Sequence, residues 1–208
     1  MYKKRKFLRF ILDRLSFPIL ICLDYKTSKK IGLTPIDEER SYACLKYAKG
    51  KALDIGCADN RFIDSYGNGY GMDKVFTNNS KLVLGDAARI PFKDKAFDTV
   101  TFIASLNHIL ARDIALREAA RVLKDEGQVL ITMINPLIGF LAHKIIRKRC
   151  DPDQVRRHME KGEMLGLTVY QIETLVSRAG LKIVARKSIL LCGNKLYICK
   201  KTDGRAGI

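Results

Sequence analysis

The stretch Lys51-Ala52-Leu53-Asp54-Ile55-Gly56-Cys57-Ala58-Asp59-Asn60 restricts the fold of this chain more than any other. A short apolar run ends in an acid and breaks into glycine, small and polar residues. That pattern is a buried parallel strand followed by a tight loop. A loop of this kind lies outside the carboxyl end of a strand, where open α/β sheets bind their ligands.

The chain keeps the rhythm that such a sheet demands. Thr34-Pro35-Ile36-Asp37-Glu38-Glu39 predicts a helix start, with Thr34 as cap, Pro35 in the first turn and three acids facing the macrodipole. That helix is expected to reach about Ala48, with Gly50 closing it. Strands are predicted over Ala52–Ile55, Gly69–Asp73, Lys81–Ala87, Asp98–Ile103 and Gln128–Ile134. An amphipathic helix, Arg112–Lys124, precedes the last of these. Strand and helix alternating in this way mark a parallel α/β sheet. After Asn135-Pro136 the rhythm breaks. Helices are expected over Leu137–Arg149, Asp151–Lys161 and Val169–Ala179, the last capped by Thr168 and closed by Gly180. Leu181–Ser188 and Lys195–Lys200 alternate like two strands of a hairpin. The expected organisation is a basic amphipathic segment over 1–33, a single domain over 34–200 and a frayed tail over 201–208.

Charge narrows the partners. The 208 residues hold 38 basic and 22 acidic side chains, a formal net charge of +16. Such a field favours nucleic acid, anionic membrane or phosphorylated substrates. The six cysteines show no CxxC pair and there are three histidines, so isolated reduced thiols and no metal site are expected. The first thirty residues carry nine basic and two acidic side chains, a local +7. Residues 7–23 are apolar but interrupted, and the continuous apolar part after Ser16 is too short for a bilayer span of about 20 residues. Two readings of 1–23 stand side by side: an interfacial helix on anionic lipid, or a helix packed on the domain as a lid. The expected location is cytoplasmic, with peripheral contact at the inner membrane face.

Three acids close three successive strands: Asp54, Asp73 and Asp86. They would line one rim of the sheet. A carboxylate ending the second strand suits the two hydroxyls of a ribose, and one after the third suits the exocyclic amine of an adenine.

With these acids in place, residues 50–135 resemble the class I S-adenosylmethionine-dependent methyltransferases of the methyltransferase type 11 family. The resemblance rests on Leu53-Asp54-Ile55-Gly56-Cys57, Gly71-Met72-Asp73, Gly85-Asp86-Ala87 with Ile90-Pro91-Phe92, Phe97-Asp98-Thr99-Val100, and Glu118 to Gly127. It implies a Rossmann-like fold: a seven-stranded, mostly parallel sheet with an antiparallel C-terminal hairpin strand. It implies S-adenosyl-L-methionine as cofactor. Gly56, Cys57 and Ala58 would lie against its methionine part, with Asp54 anchoring the loop. Asp73 would hold the ribose, and Asp86 and Ala87 the adenine edge. Ile103, Ala104 and Ser105 would contact the methionine end. Asn107 and His108 would face the acceptor, His108 as base and Asn107 as orienting donor, with His143 and His158 as alternatives. Arg40, Asn107-His108-Ile109, Glu163 to Leu167 and Gly193 to Tyr197 are similar to a branch encoded in saccharide gene clusters.

The loop departs from the family's Gly-x-Gly-x-Gly. Ala58 and Asn60 stand at the second and third glycine positions. Asn60 accepts a left-handed backbone. Ala58 adds one methyl group, which the loop tolerates at negative φ. A nicotinamide site would need glycine at 58 and 61, where Ala58 and Arg61 stand. The expected reaction is methyl transfer to a small-molecule, saccharide or lipid-linked acceptor, at oxygen. The alternatives are an RNA methyltransferase, with Lys144–Arg149 as phosphate track, and a non-catalytic binding protein. RNA is disfavoured, since Ile103-Ala104-Ser105-Leu106 replaces the Asn/Asp-Pro-Pro-Tyr/Phe usual for base amino groups.

Overall fold

The computed structural model describes residues 23, 25–75, 79–140, 161–189 and 193–202. In chain order the elements are α1 (Tyr25–Lys30), α2 (Ile36–Leu45), β1 (Ala52–Ile55), α3 (Arg61–Tyr66), β2 (Gly69–Asp73), β3 (Leu82–Leu84), β4 (Phe97–Ile103), α4 (Arg112–Val122), β5 (Leu123–Ile134), α5 (Val169–Arg178), β6 (Leu181–Ile189) and β7 (Asn194–Lys201). The strands form one seven-stranded sheet in the order β3-β2-β1-β4-β5-β7-β6. Every neighbour pair from β3 to β5 is parallel, and β7 runs antiparallel to both β5 and β6. This is the predicted Rossmann-like architecture with its C-terminal hairpin.

All four residues of β1 are buried, so the sheet is covered on both faces. Leu53 and Ile55 join one core with Leu116, Ala119 and Val122 of α4 and Ile172 and Val176 of α5. Ala52 points the other way, to a second core with Cys44 of α2 and Phe62 and Ile63 of α3. Strand alternation sets this division. On α4 the buried Ala115, Leu116, Ala119 and Val122 recur every three or four residues, the spacing of one helical stripe. Burying Leu116 alone contributes about 1.5–3 kcal/mol.

The predicted spans of β1 and β2 match the structure, as does the cap of α5. Gln171 N donates to Thr168 Oγ1 at 3.2 Å and Thr168 N to Gln171 Oε1 at 2.8 Å, a reciprocal capping box. Elsewhere the boundaries move. α2 starts at Ile36 behind Pro35 with no side-chain cap bond and ends at Leu45, so the expected Thr34 cap and the extension to Ala48 are corrected. β3 stops at Leu84, because β2 ends at Asp73, its partner there. Asp86 lies beyond, in a turn closed by Arg89 N donating to Asp86 O at 2.9 Å. α4 ends at Val122, and β5 begins at Leu123 rather than Gln128. Leu123 pairs with Phe97, and the register then shifts before Thr99 meets Gln128. Of the helix expected over 137–149, residues up to 140 are helical and the remainder lies outside the described residues. So do most of 151–161, nearly all of 1–23, the tail from 203, and with them His143, His158 and Lys144–Arg149.

β1 sits where the topology reverses. From β1 the chain steps outward to β2 and β3, then returns to β4 on the other side. The carboxyl ends of β1 and β4 therefore flank the crevice in which doubly wound sheets hold ligands.

Candidate functional site

The loop after β1 is fastened to β2. Gly56 N and Cys57 N both donate to Met72 O, at 2.8 and 3.3 Å, and Asn60 N to Cys57 O at 2.8 Å. Ala58 N donates to Asp73 Oδ2 at 2.9 Å. The first two amides thus turn toward β2, so Gly56 and Cys57 offer the crevice their Cα surface rather than donors. Gly56, Ala58 and Asn60 have φ of 70°, 46° and 61°. The condition for an easy fit at Ala58, a negative φ, is not met: an alanine occupies the left-handed region that glycine enters readily. Such a residue costs about 1–2 kcal/mol.

Gly56 is required where it stands. A Cβ there would lie 2.5 Å from Ser105 Cβ. Ser105 is held by its own hydroxyl, which donates to Ile55 O at 2.5 Å. Ala104 shares the left-handed backbone, at φ 54°, and its N–H donates to Thr132 Oγ1 at 3.0 Å. Ile103 closes β4. The ends of β1 and β4 therefore meet through Gly56 and Ser105. Asn60 is buried, and among the described residues neither atom of its side-chain amide has a hydrogen-bond partner. That amide rests against Gly71, where a Cβ would lie 2.1 Å from Asn60 Oδ1 and 2.6 Å from Cys57 Sγ.

The three acids share this rim in different environments. Asp54 is buried and accepts from Thr101 Oγ1 at 2.6 Å. The bond ties it to β4 rather than to the loop it was expected to anchor. Burial lifts its carboxyl to about 7, with the Thr101 bond opposing and the charges of Asp73 and Asp59 adding to the rise. Asp73 accepts one N–H on each oxygen, from Ala58 and from Val75, the latter at 3.1 Å. Asp86 accepts from Ala88 N at 2.9 Å and faces Lys74 Nζ at 3.2 Å. The Ala88 bond first and Lys74 second hold it below the usual carboxylate range. Ala87 beside it is buried. Burial, followed by the charge of Asp54, pushes the Cys57 thiol up.

His108 follows Ser105 by one turn, its N–H donating to Ser105 O at 2.9 Å. Asn107 is buried, and its Nδ2 donates to Met164 O at 3.0 Å. The two predicted residues thus part company: Asn107 fastens a neighbouring segment, while the His108 ring stays partly exposed.

A clamp behind the rim escaped the reading of the sequence. Arg121 of α4 donates to Phe92 O and Ile90 O, both at 3.0 Å, and to Asp94 Oδ1 at 2.6 Å. Glu118 accepts from Ile90 N at 2.9 Å and pairs with Arg121 Nε at 2.7 Å. Together they hold the loop that carries Asp86 and Ala87. The i,i+3 spacing of Glu118 and Arg121 was the available signal, but nothing in it named the loop.

Residues 53–131 match the family model described as a methyltransferase domain. An uncharacterised protein of Methanocaldococcus jannaschii is 38% identical over 92 residues, 40% of this chain and 36% of that protein. The mouse mitochondrial 2-methoxy-6-polyprenyl-1,4-benzoquinol methylase is 37% identical over 81 residues, 39% of this chain and 25% of its own length. The chain thus spans about a third or less of these curated relatives. Among solved structures, one of the complex between the Haloferax volcanii Trm112 methyltransferase activator and a methyltransferase superposes with a TM-score of 0.66. It is 15% identical and covers 93% of this chain and 99% of that one, a likeness of fold. Residues 53–131, which span the loop, the three acids and the clamp, match the methyltransferase domain model, and class I members of that family use S-adenosyl-L-methionine.

Proposed function

We propose that this protein transfers a methyl group from S-adenosyl-L-methionine to a small-molecule, saccharide or lipid-linked acceptor, at oxygen. The observation that carries the reading is the meeting of Gly56 and Ser105 at the reversal of the sheet, with the partly exposed His108 one turn further on.

The residues present fit the cofactor. Each Asp73 oxygen accepts one backbone N–H, and a carboxylate oxygen has about two lone-pair sites. One site on each oxygen is left for a ribose hydroxyl. Asp54, lifted by burial, suits a cationic ammonium group, which would restore its charge. Gly56, Cys57, Ala58, Ile103, Ala104 and Ser105 would bound the methionine part, and Asp86 and Ala87 the adenine edge. When bound, the cofactor supplies an activated methyl carbon on a sulfonium whose sulfur keeps the bonding electron pair. The chain's own work is alignment and exclusion of water. His108 would take the proton of a hydroxyl acceptor, and Asn107 would hold the backbone around it.

Acceptors are tested by incubating the protein with cofactor and candidate saccharides, lipid-linked saccharides and quinols, followed by mass spectrometry. Gain of one CH2 at a hydroxyl oxygen supports the reading. Gain at carbon alone would refute the oxygen assignment.

The basic segment 1–23 is proposed to rest on anionic membrane. Its local charge supports this, and among the described residues no helix is long and apolar enough to cross a bilayer. Flotation with anionic liposomes of the full chain, but not of a chain starting at Ser28, is the expected result. Equal flotation of the two would remove the idea.

A further inference from the structure

The segment Gly162-Glu163-Met164 packs against Asn107 to Arg112, and the bonds flank one side-chain pair. On one side of Glu163, Arg112 Nη2 donates to Gly162 O at 2.7 Å and also to Asn107 O at 2.9 Å. On the other, Asn107 Nδ2 donates to Met164 O and Met164 N to Asn107 O, both at 3.0 Å. Between these fastenings Glu163 Oε2 lies 3.5 Å from His108 Nδ1, at the long edge of hydrogen-bond reach. The burial is lopsided: the Glu163 side chain is 2% exposed and that of His108 37%.

A carboxylate this buried is costly unless cations or donors face it. Two groups do. The charge of Glu163 acts on the Arg112 guanidinium, and the imidazole edge carrying Nδ1 is turned toward it. A neutral imidazole has one N–H and one bare nitrogen, and the hydrogen bond made at one nitrogen decides which is which. A carboxylate accepting from Nδ1–H leaves Nε2 bare, as a proton acceptor. The same carboxylate stabilises the positive ring that forms when Nε2 takes a proton.

We propose that Glu163 is the positioning residue for His108, holding the ring in the Nδ1–H form so that Nε2 receives the proton of an acceptor hydroxyl. This deepens the reading of methyl transfer to oxygen and rests on it. As the hydroxyl oxygen bonds to the methyl carbon and the carbon–sulfur bond breaks, its proton passes to Nε2 and the electron pair stays on sulfur. The ring then gives the proton to solvent. Glu163 touches no reacting atom. The partnership brings together two residues 55 positions apart in the chain.

The test reads the tautomer directly. Long-range proton–nitrogen correlation spectra of the 15N-labelled full chain are recorded at about pH 8.5, two units above the ordinary imidazole value. His108→Gln identifies the resonances. The Nδ1–H form is expected to dominate in the wild type. Glu163→Gln, which keeps an acceptor oxygen, is expected to retain it. Glu163→Leu is expected to reverse the majority to Nε2–H. A wild type already dominated by Nε2–H overturns the proposal, as does a folded Glu163→Leu with unchanged tautomer. If Glu163→Leu does not fold, the wild-type spectrum still decides. Calorimetric titration of the same samples with S-adenosylmethionine separates the two claims. Lack of cofactor binding with the tautomer as expected sinks the enzyme reading, whereas binding with the wrong tautomer sinks only the dyad.

Discussion

Ala58 N donates to Asp73 Oδ2 at 2.9 Å, so the second glycine position of the loop is tied to the acid proposed to hold the ribose. The bond explains how a glycine-poor loop keeps its path. Ala58 is drawn into left-handed backbone by a hydrogen bond to a charged acceptor, a contact worth about 1.5–3 kcal/mol. That is comparable to the conformational cost it offsets.

Replacing Ala58 with glycine should remove that cost. Relief of about 1–2 kcal/mol is partly cancelled by the extra freedom of glycine in the unfolded chain, about 0.4–1 kcal/mol. A net gain on the order of 0.5–1 kcal/mol is expected in urea unfolding, with cofactor affinity equal or higher. A loss of stability would show that the alanine methyl makes a contact outweighing its strain.

Gly71→Ala should do the opposite. Its Cβ would stand 2.1 Å from Asn60 Oδ1, and overpacking of this kind costs about 1–3 kcal/mol. Asn60→Gly in the same chain should recover part of the loss, since it removes the obstructing amide and suits a φ of 61°. The Cys57 sulfur, 2.6 Å from the same Cβ, keeps the rescue incomplete. A double-mutant cycle in urea measures the coupling, and strict additivity would contradict it.

Asp54 should impress a pH dependence on stability. Its folded value of about 7, raised chiefly by burial, exceeds the unfolded value of about 3.9. Between the two, the folded state keeps a proton that the unfolded state has lost. The stabilisation is therefore whole below pH of about 4 and declines as pH rises to about 7, by about 4 kcal/mol at 1.36 kcal/mol per unit. Asp54→Asn keeps an oxygen for Thr101 and removes the titration. Its unfolding free energy should lack that decline, while its cofactor affinity falls. Parallel profiles for the two proteins would refute the assignment.

Arg121→Ala should loosen the loop that carries Asp86 and Ala87. The substitution frees Phe92 O, Ile90 O and Asp94 from their shared donor, at about 1–3 kcal/mol. Proteolysis within 86–95 should quicken more than elsewhere. A uniform increase along the chain would mean that the clamp serves the whole fold rather than this loop.

How far the site could be read in advance depended on the range of each signal. β1 and β2 were legible because an apolar run closing on an acid is a local pattern, and Thr168 with Gln171 is a local cap. α3 was missed because Arg61–Tyr66 is six residues long and half polar, too short to show a period. The start of β5 was placed late because Leu123 extends from a helix end straight into a strand, with no turn residue between. Asp54 and Asp73 could be placed together because strand ends share a topology, whereas Asp86 falls in the turn past β3. The φ of Ala58 could not be read in this way, since it follows from a bond to Asp73 across fifteen residues. The approach of Glu163 to His108 is likewise a product of tertiary packing.

Whether this rim holds S-adenosyl-L-methionine is measured most directly by calorimetric titration of the full chain. Saturable binding at one site is predicted, weakened at least tenfold in Asp73→Ala, or about 1.4 kcal/mol. A folded wild-type protein that releases no binding heat at millimolar cofactor, or an Asp73→Ala protein that binds as tightly as the wild type, would contradict it.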